Sequence, residues 1–107
     1  MGMQCVNSEL RPDGSEGWDL QKPEVQTMLY RKADRLAYWL ARQHRISDAD
    51  ALCAALEGLN RGFERYDMSR GKNWSFFESY IKGAVSRLAA RRRRERLARA
   101  RCARGQQ

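Results

Sequence analysis

The stretch SDADALCAALEGLNRGFERYDMSRGKNWSFFESYIKG, residues 47–83, decides the fold of this 107-residue chain. Ser47 stands before carboxylates at Asp48 and Asp50, a pattern typical of a helix start. A serine hydroxyl caps free backbone N–H groups, and acidic side chains favour the positive end of the helix dipole. Residues 67–71 (DMSRG) then interrupt the apolar spacing. We therefore predict a helix, a short turn and another helix in this stretch.

Apolar residues at helical spacing predict the buried faces of three helices. Pro23 followed by Glu24 suits the first turn of the first helix, which we expect to run to about His44. Ser75 with Glu78 three residues later forms a capping-box pattern that predicts the start of the third helix. The predicted inward residues are Val25, Met28, Leu29, Ala33, Leu36 and Leu40 in the first helix, Leu52, Leu56, Leu59, Phe63 and Tyr66 in the second, and Phe77, Tyr80, Ile81, Ala84, Val85 and Leu88 in the third. No strand pattern is present, so we predict an all-α fold: a small three-helix bundle with a long basic C-terminal helix.

The chain divides into three predicted parts. Residues 1–22 lack periodicity and are expected to form a flexible N-terminal arm, with Trp18 resting on the domain. Residues 23–90 form the helical domain. Residues 91–107 continue as an Arg-rich helix or tail, because no glycine or proline interrupts residues 84–104. The last turns of that helix are expected to fray for lack of packing partners.

The positive charge is concentrated at one end of the chain. Residues 1–86 hold 12 Lys/Arg and 12 Asp/Glu, whereas residues 87–107 hold nine Arg and one Glu, which accounts for the net charge of +8. Arginine forms forked contacts to phosphates and base edges. The segregation favours a polyanionic partner that contacts the C-terminal end; the alternative is a solvated tail without a partner.

Several classes of protein are disfavoured by the sequence. No uncharged run is long enough to cross a membrane, and the N-terminus lacks the pattern of a secretory signal. The cysteines at 5, 53 and 102 are odd in number, and none has zinc-ligand spacing with the single histidine, His44. No nucleophile–base constellation or phosphate loop is present. We expect a cytoplasmic, nucleoid-associated protein that is not an enzyme and holds no metal or cofactor.

Two aromatic residues at the start of the third helix are the least needed by the predicted core. Trp74 and Phe76 lie close to Lys72 and Lys82, ahead of the arginine track. Exposed rings beside cations suit single-stranded nucleic acid, because rings stack on unpaired bases and cations hold phosphates. The alternative is that both rings pack in the core, which is the more common fate of aromatic residues in so small a domain.

The segment from Asp50 to Trp74 resembles region 2 of the sigma-70 family of bacterial sigma factors. It reads DALCAALEGLNRGFERYDMSRGKNW and matches the family pattern without a gap. The matching positions are Asp50, Leu52, Gly58, Leu59, Phe63, Tyr66, Asp67, Arg70, Gly71 and the aromatic Trp74. The following SFFESYIKGAVSRLAARRRR resembles the third helix of extracytoplasmic-function-type sigma factors, and residues 32–44 fall where the first helix of region 2 belongs. The resemblance covers residues 30–100 approximately and implies a region 2 fold.

The resemblance implies two binding surfaces. In the family, the second helix docks on the clamp of the β′ subunit of RNA polymerase, and the third helix captures bases flipped from the promoter −10 element. The implied polymerase-binding residues are Asp50, Cys53, Ala54, Glu57, Asn60 and Arg61. The implied DNA-binding residues are Trp74, Phe76, Phe77 and Tyr80 for bases, Lys72, Lys82 and Arg87 for phosphates, and Arg91, Arg92, Arg93 and Arg94 for the duplex upstream.

The chain departs from the family at the polymerase-binding helix and at its end. Cys53 replaces the family's glutamine, and Ala54 replaces the acidic residue that follows it. No region 4 follows, so we expect a second protein to supply a region 4-like helix-turn-helix, as in split sigma systems, or a phage or mobile-element regulator that borrows region 2. Two alternatives remain: an Arg-rich nucleic-acid-binding module that works without polymerase, and an inhibitor that competes with sigma for β′.

Overall fold

The computed structural model describes residues 17–105 and confirms the predicted all-α class. Three helices pack side by side, and no strand occurs among the described residues. Helix α1 spans Pro23–His44, α2 spans Asp48–Arg65 and α3 spans Trp74–Gly105. A 3-10 turn, Met68–Arg70, lies between α2 and α3.

The ends of α1 and α2 follow from local sequence. Pro23 occupies the first turn of α1, where its missing N–H costs no helical hydrogen bond. Arg45 ends α1 in the left-handed region, at a φ of 56°, and its backbone N–H donates to the Ala41 carbonyl. The Ser47 hydroxyl accepts a hydrogen bond from the Asp50 N–H at 3.0 Å, which confirms the predicted cap of α2.

The predicted capping box at the start of α3 is wrong, because the helix starts two residues earlier than a cap at Ser75 implies. The helix begins at Trp74, and the Oδ1 atom of Asn73 accepts the Ser75 backbone N–H at 3.1 Å. Asparagine caps helices as well as serine does, so Asn73 takes the capping role two residues before Ser75. Trp74 is therefore the first residue of the helix and not part of the loop before it.

The buried face of α2 consists of small residues and differs from the predicted leucine seam. Of the predicted residues only Leu59 is buried, whereas Leu52, Leu56, Phe63 and Tyr66 are partly exposed. The face that contacts the other helices comprises Ala51, Ala54, Ala55, Gly58, Leu59 and Gly62. Small side chains at this face let the helix backbones approach closely, so the larger side chains flank the interface.

The closest approach of α2 to α3 is at Gly58 and Gly62. A Cβ atom on Gly58 would lie 2.6 Å from the Tyr80 carbonyl oxygen and 2.8 Å from the Ile81 Cα, which are backbone atoms. A Cβ atom on Gly62 would lie 2.7 Å from the Phe77 ring. The absence of a side chain at these two positions is therefore required by the crossing of the two helices.

Helix α3 is packed along its first half and exposed along its second. The predicted residues Phe77, Ile81, Ala84 and Val85 are buried, and Ala89 joins them. Beyond Arg92, every described side chain, from residue 93 to residue 103, is exposed. The helix nevertheless continues without a break to Gly105, as the uninterrupted sequence predicts.

The residues that precede α1 pack against aromatic residues where α2 ends and α3 begins. The Trp18 ring lies 5.8 Å from the Phe77 ring and 6.2 Å from the Tyr66 ring, between centroids. The Lys22 N–H donates to the Asp19 carbonyl at 3.1 Å and leads the chain into α1. Residues 1–16 of the predicted arm lie outside the described residues.

Candidate nucleic-acid interface

Phe77 is the centre of an aromatic cluster at the start of α3. Its side chain is fully buried, at 0% exposure. Five rings surround it at centroid distances of 5.2 to 6.4 Å, namely Trp18, Phe63, Tyr66, Trp74 and Phe76. Because no face of Phe77 reaches solvent, this ring offers no surface to a base in the present conformation.

Trp74 and Phe76 are partly buried, and each carries a cation over its ring. The Lys32 Nζ lies 5.4 Å from the Trp74 ring centroid, and the Arg70 Cζ lies 4.6 Å from the Phe76 ring centroid. Trp74 also stacks against Phe77, at 6.4 Å between centroids. The two rings that the sequence offers for stacking are thus each packed against the core and covered in part by a basic side chain.

The turn between α2 and α3 is held by its own side chains. The Tyr66 hydroxyl accepts the Trp18 backbone N–H and donates to the Gly71 carbonyl, both at 2.7 Å. The Asp67 carboxylate accepts hydrogen bonds from the hydroxyl and the N–H of Ser69, and these bonds lower the pKa of Asp67. Gly71 has a φ of 72°, a backbone conformation that side chains disfavour.

The motif residues therefore divide into two groups. Gly58 lies at the helix crossing, and Tyr66, Asp67 and Gly71 build the turn, so these positions are explained by the fold alone. The second group comprises the exposed residues between these positions, and any function that the resemblance implies must be carried by them.

A groove of about 450 Å³ between α2 and α3 brings the two predicted surfaces together. Five of the six residues predicted to bind polymerase line it, all except Asn60. They face three residues predicted to bind DNA. The lining comprises Asp50, Cys53, Ala54, Glu57 and Arg61 from α2, and Ala84, Arg87, Leu88, Arg91 and Arg92 from α3.

Arg92 closes one end of this groove by pairing with two carboxylates. Its Nε and Nη2 atoms donate to the two carboxylate oxygens of Asp50 at 3.1 and 3.3 Å, and its Nη1 donates to Glu95 at 3.1 Å. The hydrogen bond from Arg92 lowers the pKa of Asp50, and the bonds to Asp50 and Glu95 raise the pKa of Arg92. A residue of the predicted DNA track is thus tied to a residue of the predicted polymerase site.

The remaining predicted residues divide by exposure. Ala54 is buried, with 5% exposure, which leaves a partner little of its side chain to contact. Tyr80 is partly buried and meets the Phe76 ring at 5.2 Å. Lys82 is exposed and pairs with Glu78 at 3.7 Å. The other exposed residues are Cys53, Glu57, Asn60 and Arg61 on α2, Lys72 in the turn, and Arg87, Arg91, Arg93 and Arg94 on α3.

The most exposed aromatic ring lies on α1, a helix for which we predicted no functional residue. Trp39 is 53% exposed and its neighbour Tyr38 is 43% exposed, both more than Trp74 or Phe76. The sequence pattern could have predicted this exposure, because neither Tyr38 nor Trp39 falls on the inward face that Leu29, Ala33 and Leu40 define.

The described residues contain no group of three or more His, Cys, Asp or Glu side chains arranged to hold a metal ion. Within residues 17–105, no helix is long and apolar enough to cross a membrane. Neither a protein-family model, nor a curated protein, nor a solved structure matches this chain.

Proposed function

We propose that this chain is a sigma factor-like transcription regulator that binds RNA polymerase through α2 and promoter −10 DNA through α3. The observation that carries the proposal is the α2–α3 groove, where residues predicted to bind polymerase lie beside an unbroken arginine-rich helix. A second protein would supply the contacts that region 4 makes in conventional sigma factors.

On the polymerase side, the exposed residues Glu57, Asn60 and Arg61 are the contacts we propose for the β′ clamp. Asp50 already accepts a hydrogen bond from Arg92 at each carboxylate oxygen. A cation of the polymerase would therefore share this half-exposed carboxylate with Arg92 or displace the guanidinium.

On the DNA side, the exposed cations of α3 and the turn contact phosphates, which fix position and not sequence. A base that stacks on Trp74 must displace the Lys32 ammonium from the ring face. A cation–π contact at an exposed site is worth about 0.5–1 kcal/mol, whereas stacking of a base is worth about 1–3 kcal/mol. The exchange is favourable, and the released ammonium is left beside the phosphate of the stacked nucleotide.

The test is retention of core RNA polymerase by the tagged chain, with a matched pair of charge reversals. Glu57→Lys alters the proposed contact, and Glu24→Lys makes the same change on the exposed first turn of α1. We expect the wild type and Glu24→Lys to retain β′ and Glu57→Lys to lose it. Absence of β′ from the wild-type sample at low salt contradicts the polymerase part of the proposal.

A second candidate function is nucleic-acid binding without polymerase, favoured by the engagement of Asp50 with Arg92 and by the burial of Ala54. It predicts retention of DNA or RNA with a steep dependence on salt, unchanged in Glu57→Lys. An inhibitor that occupies β′ is separated from an activator by the sign of its effect on run-off transcription. Unchanged affinity for single strands in the Trp74→Ala, Phe76→Ala double variant contradicts base stacking at these rings.

A further inference from the structure

The outward face of α1 carries a row of cations around an exposed indole. Lys32, Arg35, Trp39 and Arg42 recur at steps of three, four and three residues, which places them on one side of the helix. We call this row the α1 stripe; at 1.5 Å per residue it is about 15 Å long. It lies apart from the groove between α2 and α3.

The groups of the α1 stripe are only weakly engaged within the chain. Among residues 17–105, the Trp39 ring makes no aromatic contact and its indole N–H no hydrogen bond, and Arg35 forms no ion pair. Arg42 approaches Asp48 at 4.0 Å and donates to the Tyr38 carbonyl. Most of the stripe's hydrogen-bonding capacity is therefore free for a ligand.

A depression of about 500 Å³ lies at the N-terminal end of the stripe. Its lining is Glu24, Thr27, Met28, Arg31, Lys32 and Arg35, so it holds three cations, one carboxylate, one hydroxyl and one thioether. Lys32 also lies over the Trp74 ring, which connects the depression to the aromatic cluster at the start of α3.

We propose that the α1 stripe is a binding site for single-stranded nucleic acid. A base stacks on Trp39, the neighbouring phosphates pair with Lys32, Arg35 and Arg42, and an adjacent base enters the depression beside Arg31. Flat rings spaced among cations match a polymer whose bases and phosphates alternate. A protein partner would have to provide both an aromatic-accepting surface and several carboxylates in the same short row.

Duplex DNA does not suit this site, because its bases are stacked on one another and present no free face to an indole. The arginines of α3, in contrast, contact phosphates of single and double strands alike. The ratio of single-strand to duplex affinity therefore reports stacking on Trp39 together with stacking on Trp74 and Phe76, and a substitution at Trp39 alone isolates the contribution of the α1 stripe.

The test measures the fluorescence anisotropy of a labelled 20-nucleotide oligo-dT and of a 20-base-pair duplex titrated with the full chain. We expect Trp39→Ala to weaken single-strand binding by about tenfold and to leave duplex binding unchanged, because the variant has no ring on which a base can stack. Trp39→Phe retains a ring and should keep most of the affinity. Trp39→Leu retains apolar bulk without a stacking face and should behave like Trp39→Ala.

Leu97→Ala is the matched control, because Leu97 is also 53% exposed but lies in the arginine-rich half of α3. It should leave both affinities unchanged. Arg35→Gln should lower the salt slope for the single strand by about 0.7.

The proposal is overturned if Trp39→Ala binds oligo-dT as the wild type does, or if it loses single-strand and duplex affinity equally. It is also overturned if Trp39→Leu keeps the wild-type ratio, because bulk and not stacking would then explain the effect. We expect Trp39→Ala to retain β′. A loss of single-strand binding in this variant can therefore be told apart from a loss of polymerase binding.

Discussion

The first and second halves of α3 have opposite surroundings. Residues 74–89 bury Phe77, Ile81 and Val85 completely, whereas residues 93–103 have no buried side chain. The first half is stabilised by packing, and the second depends on its own backbone hydrogen bonds and on the helix that precedes it. Packing and solvent exposure are thus assigned to different segments of one continuous helix.

The sharpest way to test this division is to truncate one large side chain in each half. Phe77→Ala should lower the free energy of unfolding by about 3–5 kcal/mol, because it removes the ring at the centre of the cluster. Leu97→Ala should change it by less than about 0.5 kcal/mol. Urea denaturation followed by circular dichroism measures both.

If Phe77→Ala shows no cooperative transition, Phe77→Leu provides a milder truncation that should fall between Phe77→Ala and the wild type. Equal destabilisation by Phe77→Ala and Leu97→Ala would show that the second half is packed after all.

Alanine substitutions at two glycines test whether the packing depends on the close approach of α2 to the first half of α3. Gly58→Ala should destabilise by about 1–3 kcal/mol, because its Cβ meets the backbone of Tyr80 and Ile81. Gly83→Ala meets only the end of the Arg87 side chain, at 3.4 Å, and should stabilise α3 by up to about 1 kcal/mol. Thermal unfolding midpoints should move in opposite directions, and movement in the same direction contradicts the crossing geometry.

The boundary between the two halves is marked by the ion pair of Arg92 with Asp50, and its contribution depends on pH. The pKa of Asp50 lies below its ordinary value of 3.8 when folded, so the carboxylate contributes stability above pH 3.8 and loses it as pH falls through the folded-state pKa. We expect Asp50→Asn to be less stable than the wild type near neutral pH and equal to it in strong acid.

The midpoints of urea denaturation of the wild type and Asp50→Asn, measured between pH 7 and pH 2, test whether the two stabilities converge in acid. Leu97→Ala, which changes no ionisable group, should run parallel to the wild type over the same range. A constant offset between Asp50→Asn and the wild type at every pH would assign the effect to packing and not to charge.

The smallest effect on stability is expected in the exposed half. Replacing Arg93, Arg94, Arg96 and Arg99 by glutamine should leave the free energy of unfolding within about 0.5 kcal/mol of the wild type, because all four side chains are solvated. The same variant should bind duplex DNA with a salt slope that is smaller by about 0.9 for each phosphate that is no longer neutralised. A large loss of stability would place these arginines among the packing residues.

The ends of the first two helices could be predicted from the sequence, because Pro23 and Ser47 act on their own immediate neighbours. The inward face of α2 could not be predicted, because Leu52 and Leu56 are larger and more apolar than the alanines and glycines that are buried instead. Only the close approach of α3 makes the small residues the better interface. The start of α3 was misplaced because Asn73 and Ser75 are both acceptable caps.

The exposure of the candidate site residues could be predicted less well than the fold, because contacts between distant residues decide exposure. The pairing of Arg92 with Asp50 joins residues 42 positions apart, and Lys32 reaches Trp74 from another helix. No local pattern reports such contacts. The sequence therefore identified the types of groups present but not which rings are covered and which remain open.

The continuity of α3 from Trp74 to Gly105 has a geometric consequence for anything bound along it. Because each residue advances about 1.5 Å and turns about 100°, the helix holds Trp74 and Arg93 about 29 Å apart along its axis. One residue inserted after Arg92 would rotate the later arginines by a quarter turn or more and leave the packed residues and the Arg92–Asp50 pair in place. The phase of the helix, as well as its charge, would then set which strand of a bound nucleic acid the arginines face.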